Sequence, residues 1–362
     1  MSVREEGWWQ EVEARRVLIL KPSALGDVVQ ALPLLTPLRQ RFPHAHFTWL
    51  IQSRFADLVQ QHPQLDDVWC ISRRPSWGEV WQVLRRLRQG RFDLVLDLQG
   101  LCRTGILTWA TQARWRVGLQ TAREGAHFSY NRVVPDSGWQ IPAAQRYWRV
   151  AEVFGVGHIP PQAYIPYTPQ DDQQAEQWLG TLPRPLIGVQ LGAQWETKRW
   201  PPERFAAAVQ PVLQQFPGSV ILVGSREEEP LARRFCLTGN FSSLEQRVLS
   251  LVGRTTLRQL TCVLQRLDVL LTNDSGPMHL AAALGTPIVG LFTCTDAYRS
   301  GPVGDGHRCL QAAVPCAACY HKRCPLRGAA TLRCLTAIPV NHVTAALIQV
   351  LQRGIASQGL AA

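Results

Sequence analysis

No apolar run in this sequence is long enough to span a bilayer. The best stretch, 280–292, is short and is broken by Thr286 and Pro287. A secretory leader is missing too: residues 1–16 carry Glu5, Glu6, Glu11 and Glu13 and no apolar segment. These absences predict a cytoplasmic protein. Lysine is scarce, with Lys21, Lys198 and Lys322 alone among 38 basic residues. Each lysine therefore stands out in a chain that otherwise writes positive charge as arginine. Helix-turn-helix patterning, RNP-type runs and zinc-finger spacing are absent, so no nucleic-acid module is expected. Nor is there a G-x4-G-K-[ST] phosphate loop.

What is present is a 362-residue chain, enough for two domains that each bury a core. Hydrophobic residues make up 46% and charged residues 18%, a globular balance. A net charge of +11 calls for an anionic partner: nucleic acid, an anionic membrane surface, or phosphorylated substrates. Ten cysteines occur. Six are scattered and read as small buried hydrophobes. Cys316, Cys319, Cys324 and Cys334 form a C-x2-C-x4-C-x9-C cluster that could hold zinc or an iron–sulfur centre. Without a second C-x2-C knuckle, reduced thiols or a loop-stapling disulfide fit as well.

Strand-like and helix-like segments alternate through two halves, the pattern of doubly wound parallel sheets. Strands are predicted at 17–20, 46–51, 67–71, 93–98 and 115–118, with helices at 54–61, 78–88 and 101–111. The second half restarts at 186–190, with a helix at 203–215 and strands at 220–223, 249–252, 268–272 and 287–292. These segments divide the chain into an extension (1–16), a first domain (17–157), a linker with a short helix (158–185), a second domain (186–338) and a closing helix and tail (339–362). Ligands of such sheets bind beyond the carboxyl ends of the strands.

Three motifs fall at those ends. The first, Lys21-Pro-Ser-Ala-Leu-Gly26-Asp27, joins a strand to a helix. Asp27 there is either a helix-capping carboxylate or a general base, worth on the order of 10²–10⁴-fold in rate. The second, Gln190-Leu-Gly192-Ala-Gln-Trp195-Glu-Thr-Lys198-Arg199, is a polar loop whose Lys198 suits a departing diphosphate or serves as a solvated surface cation. The third, Thr272-Asn-Asp274-Ser275-Gly276-Pro277-Met-His279, opens a helix whose first amides and dipole suit an anion, with His279 about one turn in.

These motifs, in this order, resemble glycosyltransferase family 9, the ADP-heptose:lipopolysaccharide heptosyltransferases. The resemblance runs from about Val17 to Leu351 and is strongest at SALGDVVQALP, LGAQWETKRWP and TNDSGPMHLAAALGTP. The runs around Asp97-Leu-Gln99-Gly100-Leu-Cys-Arg103 and Thr121–Gly125 look particularly like the heptosyltransferase I branch. The resemblance implies a GT-B fold: two Rossmann-like domains facing a cleft, acceptor on the first and ADP-sugar on the second. It makes Asp27 the base and Lys198 the diphosphate lysine. It puts Gly192, Asp274, Ser275, Gly276, His279, Thr295 and Asp296 at the donor, with Glu227 on the ribose. Gly26, Gln99, Arg103 and Arg123 go to the acceptor side. Two departures stand out: the helix beginning Ala143-Ala-Gln-Arg146 lacks a histidine the family often carries, and Ser275 replaces a common threonine.

The expected reaction is inverting heptosyl transfer from ADP-heptose to a lipopolysaccharide inner-core acceptor (Kdo/lipid A), with no cofactor and no catalytic metal. Trp77, Trp81, Arg85, Arg86 and Arg88 mark a segment that could rest on the inner membrane, or form a solvated basic helix. The alternatives are a transferase for another nucleotide sugar or glycan acceptor, a UDP-sugar epimerase, and a non-catalytic basic binding protein.

Overall fold

The computed structural model describes residues 7–239, 241 and 247–359. Glu5 and Glu6 of the predicted extension and residues 360–362 of the tail lie outside them. The chain divides into two compact units, Met1–Pro166 and Tyr167–Ala362.

The first unit runs β1 (Arg16–Leu20), α1 (Leu25–Ala31), α2 (Leu35–Arg41), β2 (His46–Gln52), β3 (Asp67–Ile71), α3 (Trp77–Gln89), β4 (Leu94–Asp97), α4 (Cys102–Thr111), β5 (Trp115–Leu119), β6 (Arg132–Val134) and α5 (Ala143–Val153). Its strands form one parallel sheet in the order β3-β2-β1-β4-β5-β6. The central runs are apolar on both faces because helices cover both: Val17, Leu18, Ile19 and Leu20 are all fully buried.

The second unit runs α6 (Pro169–Leu179), β7 (Leu186–Gln190), α7 (Pro202–Gln215), β8 (Ser219–Val223), α8 (Glu229–Thr238), β9 (Val248–Ser250), α9 (Leu257–Gln265), β10 (Val269–Asn273), α10 (Gly276–Ala283), β11 (Ile288–Phe292), α11 (Ala297–Ser300), β12 (Arg308–Gln311) and α12 (Val340–Gly359). Its parallel order is β12-β11-β10-β7-β8-β9. α7 buries Phe205, Val209, Val212 and Leu213 at helical spacing. Against that face α12 sets Val343, Leu347, Val350 and Leu351. In each sheet the order reverses beside the unit's first strand, between β1 and β4 and between β7 and β10. Such a reversal leaves a crevice at the strands' carboxyl ends.

The structure differs from the sequence reading at several places. Residues 54–61, read as a helix, begin in a 3-10 turn over Ser53–Leu58. The short helix expected in the linker is α6, but it belongs to the second unit: it packs on α9 and is tied to it by Arg266 reaching Asp172 at 2.8 Å. The short strands β6 and β12 and the helices α8 and α9 were not among the predicted elements. For α9 the signal was there: Thr256 and Gln259 make a reciprocal capping box, at 3.2 and 3.1 Å.

One buried group sets a pH limit on the first unit. His62 is almost wholly buried, its Nδ1 accepting from the Gln64 amide at 3.1 Å, with Tyr164 edge-on at 5.4 Å. Burial pulls its pKa from 6.5 down to about 4. The folded chain keeps it neutral while the unfolded chain takes up a proton, so stability is full above pH 6.5 and falls as pH drops towards 4. His62→Asn retains an acceptor but not this titration. Unfolding free energies from urea titrations across that window should fall for the parent by about 3 kcal/mol more than for the variant.

Candidate active site

In the first unit the chemistry gathers at the β1–β4 reversal. Asp27 occupies the third position of α1, and both sequence readings of it fit its local geometry. Its Oδ2 accepts from the Ala24 amide at 3.3 Å, capping the helix. Its Oδ1 accepts from the Tyr147 hydroxyl on α5 at 3.2 Å. The carboxylate is nonetheless 39% exposed, so it remains open to an incoming hydroxyl. Burial and the Asp27 charge push the Tyr147 phenol well above its ordinary pKa. Tyr147 therefore stays a donor and keeps the carboxylate aimed.

Lys21, at the end of β1, is 2% exposed. Its Nζ donates to the Leu98 carbonyl at 3.2 Å, stands 3.9 Å from Asp27 Oδ2 and lies over the Tyr147 ring at 5.1 Å. Burial lowers its pKa, while Asp27 and Asp97 oppose the shift. Asp97, at the end of β4, accepts from the Gln99 and Gly100 amides at 2.9 and 3.0 Å and from Tyr130 Oη at 2.7 Å. Burial raises it. Gln99 Oε1 accepts from the Ser23 amide at 3.3 Å, joining the two loops that flank the reversal.

Of the other predicted acceptor-side residues, Gly26 is buried within α1 and Arg103 is exposed on α4. Arg123 is exposed beside Trp139, its guanidinium 5.4 Å from the ring. Arg146 lies over that ring as well, at 4.8 Å. The sequence reading named neither Lys21 nor Tyr147 as a site residue. The rarity of lysine was a signal for the first. Nothing local marked the second, which arrives from 120 positions downstream.

In the second unit the β7–β10 reversal brings together most of the predicted donor residues. Lys198 Nζ pairs with Asp274 Oδ2 at 2.7 Å, with the two side chains 16% and 6% exposed. The Trp195 ring lies 4.6 Å from the same ammonium. Asn273 fixes the loop that carries Lys198, accepting from the Trp200 amide at 3.1 Å and donating to the Leu191 carbonyl at 2.8 Å. Ser275 sits at the N-cap of α10 without capping it by a side-chain bond. Its hydroxyl instead donates to Gln190 Oε1 at 3.1 Å and contacts Thr272 Oγ1 at 3.2 Å. Gly276 and Pro277 open the helix, and His279 lies half-buried one turn in.

Two predicted residues find different surroundings. Glu227 is exposed, and it is Glu228 that turns inward. The Glu228 carboxylate accepts from the Ser225 amide at 3.1 Å and from Gln190 Nε2 at 3.4 Å, and burial raises its pKa. Gly192 and Gly224 make room for it: a Cβ on Gly192 would stand 1.8 Å from Glu228 Oε1, and one on Gly224 would stand 2.2 Å from Oε2. Thr295 is buried, while Asp296 caps the short α11 through the Arg299 amide at 2.8 Å. In the cysteine cluster Cys334 is buried near Cys316, Cys294, Cys319 and Cys324, and burial pushes its thiol up to about 11. All ten cysteines are free thiols. Among the described residues, no three His, Cys, Asp or Glu side chains are placed to hold a metal ion.

Each unit thus presents a carboxylate-and-cation cluster where its strand order reverses. The description "Glycosyltransferase family 9 (heptosyltransferase)" matches residues 80–330. The chain belongs to glycosyltransferase family 9. It is similar to lipopolysaccharide core heptosyltransferase OpsX of Haemophilus influenzae, 25% identical over 80% of this chain and 82% of that protein. It is similar also to lipopolysaccharide heptosyltransferase 1 of Pseudomonas aeruginosa, 28% identical over 85% of this chain and 87% of the relative. Among solved structures, E. coli ADP-heptose lps heptosyltransferase II superposes with a TM-score of 0.73 at 21% identity, covering 93% of this chain and 99% of that one. The E. coli heptosyltransferase WaaC with ADP gives 0.64 at 24% identity, covering 92% and 99%. The fold is GT-B and the protein is a transferase enzyme.

The Lys198–Asp274 pair makes a stability test of this family member. Lys198→Met strands a nearly buried carboxylate and is expected to cost about 3 kcal/mol in urea denaturation. Adding Asp274→Asn to that variant should restore most of the loss.

Proposed function

We propose that the enzyme transfers a heptose from ADP-heptose to the inner core of lipopolysaccharide, in one inverting displacement and without a catalytic metal. The observation that carries this reading is Asp27: a half-exposed carboxylate held by a fixed phenolic donor, at the strand ends of a family 9 chain. The relatives' names point the same way for donor and acceptor.

In this mechanism an acceptor hydroxyl gives its proton to Asp27 as its oxygen attacks the anomeric carbon. The carbon–oxygen bond to the diphosphate breaks, and ADP leaves carrying the charge. Lys198 and the first-turn amides of α10 meet that charge, a kind of preorganised stabilisation worth on the order of 10²–10³-fold per donor. Asp274 holds the Lys198 ammonium in place before the diphosphate arrives. Glu228, not Glu227, offers the carboxylate for the ribose hydroxyls, the role an acid plays at this edge of dinucleotide-binding sheets. A lipid-borne acceptor would bring the enzyme to the cytoplasmic face of a membrane.

Asp27→Ala should lower transfer by about 10³-fold or more and leave the Kd for ADP by calorimetry unchanged. Retained activity would remove Asp27 as the base. Incubation with EDTA should leave the parent rate unchanged, and a rate that collapses and returns with added metal would overturn the metal-free mechanism. Gly192→Ala, by driving the Glu228 carboxylate aside, should weaken ADP binding about tenfold, a loss of about 1.4 kcal/mol.

A further inference from the structure

α3 and α4 pack side by side in the first unit, and their outward stripes are unusual. On α3, Val80, Val83, Leu84 and Leu87 face inward. The opposite stripe reads Trp77, Trp81, Arg85, Arg88 at helical spacing, two indoles followed by two guanidiniums. Trp77 is 90% exposed and Trp81 71%. On α4, Arg103, Ile106 and Trp109 share the outward stripe, and Trp109 is 62% exposed. A 160 Å³ cavity runs between the helices, lined among others by Pro75, Leu84, Ile106 and Leu107, with Arg73 and Arg103 at its polar wall.

The charge here is one-sided. Residues 72–112 hold Arg73, Arg74, Arg85, Arg86, Arg88, Arg91 and Arg103 against Glu79, Asp93 and Asp97. Those three acids are occupied locally: Glu79 accepts from the Ser72 amide, Asp93 from the Arg15 and Arg16 amides, and Asp97 from Tyr130. Burial lowers the pKa of Arg54, and the nearby Arg73 and Arg103 guanidiniums lower it further. Exposed indoles beside uncompensated guanidiniums match the headgroup region of a bilayer, where aromatic rings lie at the interface and cations meet lipid phosphates. Among the described residues no helix is long and apolar enough to cross a membrane.

We propose that the outward face of α3 and α4 docks on an anionic lipid bilayer, with Trp77, Trp81 and Trp109 among the headgroups and the flanking arginines against lipid phosphates. The proposal deepens the acceptor reading above, since a lipid-borne acceptor is met at a bilayer. Its vesicle-binding assay needs neither donor nor acceptor, so the two readings can fail separately.

The full chain is sedimented with phosphatidylcholine vesicles containing or lacking phosphatidylglycerol. Binding to the anionic vesicles should exceed binding to the neutral ones by about tenfold or more, each engaged arginine contributing about fivefold, and should fall at high salt. Indole emission should shift to the blue on binding. The variant Trp77→Ser/Trp81→Ser/Trp109→Ser should lose the binding while keeping parental circular dichroism and parental transfer to a water-soluble, deacylated acceptor. Arg85→Glu/Arg88→Glu should independently weaken it. Equal binding to neutral vesicles, no binding, or undiminished binding by both variants would overturn the proposal. So would a dimer of the parent that the serine variant dissolves, because a second copy would then cover this face. If the parent binds vesicles but transfers nothing to the soluble acceptor, the proposed inner-core acceptor fails and the docking surface stands.

Discussion

A parallel sheet whose strand order reverses next to its first strand must send two neighbouring connections to opposite faces. Between them a crevice is left outside the carboxyl ends of two strands. Both units have this constraint at their centre. In the first, β1, β4 and the segments that follow them supply Lys21, Asp27, Asp97 and Gln99; in the second, the segments after β7 and β10 supply Gly192, Lys198, Asp274 and Ser275. The polar residues of each cluster are tied to one another across the gap: Ser23 to Gln99, Asn273 to Leu191, Ser275 to Gln190. Burying such groups is costly unless they are mutually satisfied, and these bonds provide that satisfaction.

The two clusters solve opposite electrostatic problems. On the proposed mechanism Asp27 must stay reachable by an acceptor hydroxyl, and the Tyr147 phenol, its pKa pushed well up by burial, and the deeply buried Lys21 hold it in place. Lys198, which on the same mechanism meets the leaving diphosphate, is held by Asp274 and the Trp195 ring. Charge pairing thus fixes geometry in both places, a use of buried ion pairs distinct from stabilisation.

Much of this was legible in the sequence because strand ends announce themselves: an apolar run stops, a glycine follows, and a polar group sits next to it. Asp27, Lys198 and the Asp274–His279 turn were singled out that way, and the structure sets them at the strand-order reversals. The inward turn of Glu228 was not read, for a reason of phase. Three consecutive glutamates, Glu227 to Glu229, pass through a 3-10 turn over Arg226–Glu228 into α8, and each step rotates the side chain by about 120°. No pattern in the sequence says which one turns inward. The two glycines facing it do so only once folded. Tyr147 was out of reach because its partner is set by how α5 packs on α1, a tertiary fact without local trace. The short strands β6 and β12 carry too few residues to show a period of two, whereas α9 was signalled by its capping box.

The placement of α12 has a consequence for how the chain is made. Its apolar side completes the wall of α7, and Thr344 donates to the Ala208 carbonyl of that helix at 3.0 Å. The first unit has all its strands in hand once the ribosome has passed Pro166. The second unit must wait, with Phe205, Val209 and Val212 lacking their cover, until residues 343–351 emerge. During synthesis the halves of this enzyme therefore mature on different clocks, and the later half is the one a chaperone would meet with its apolar surface still bare.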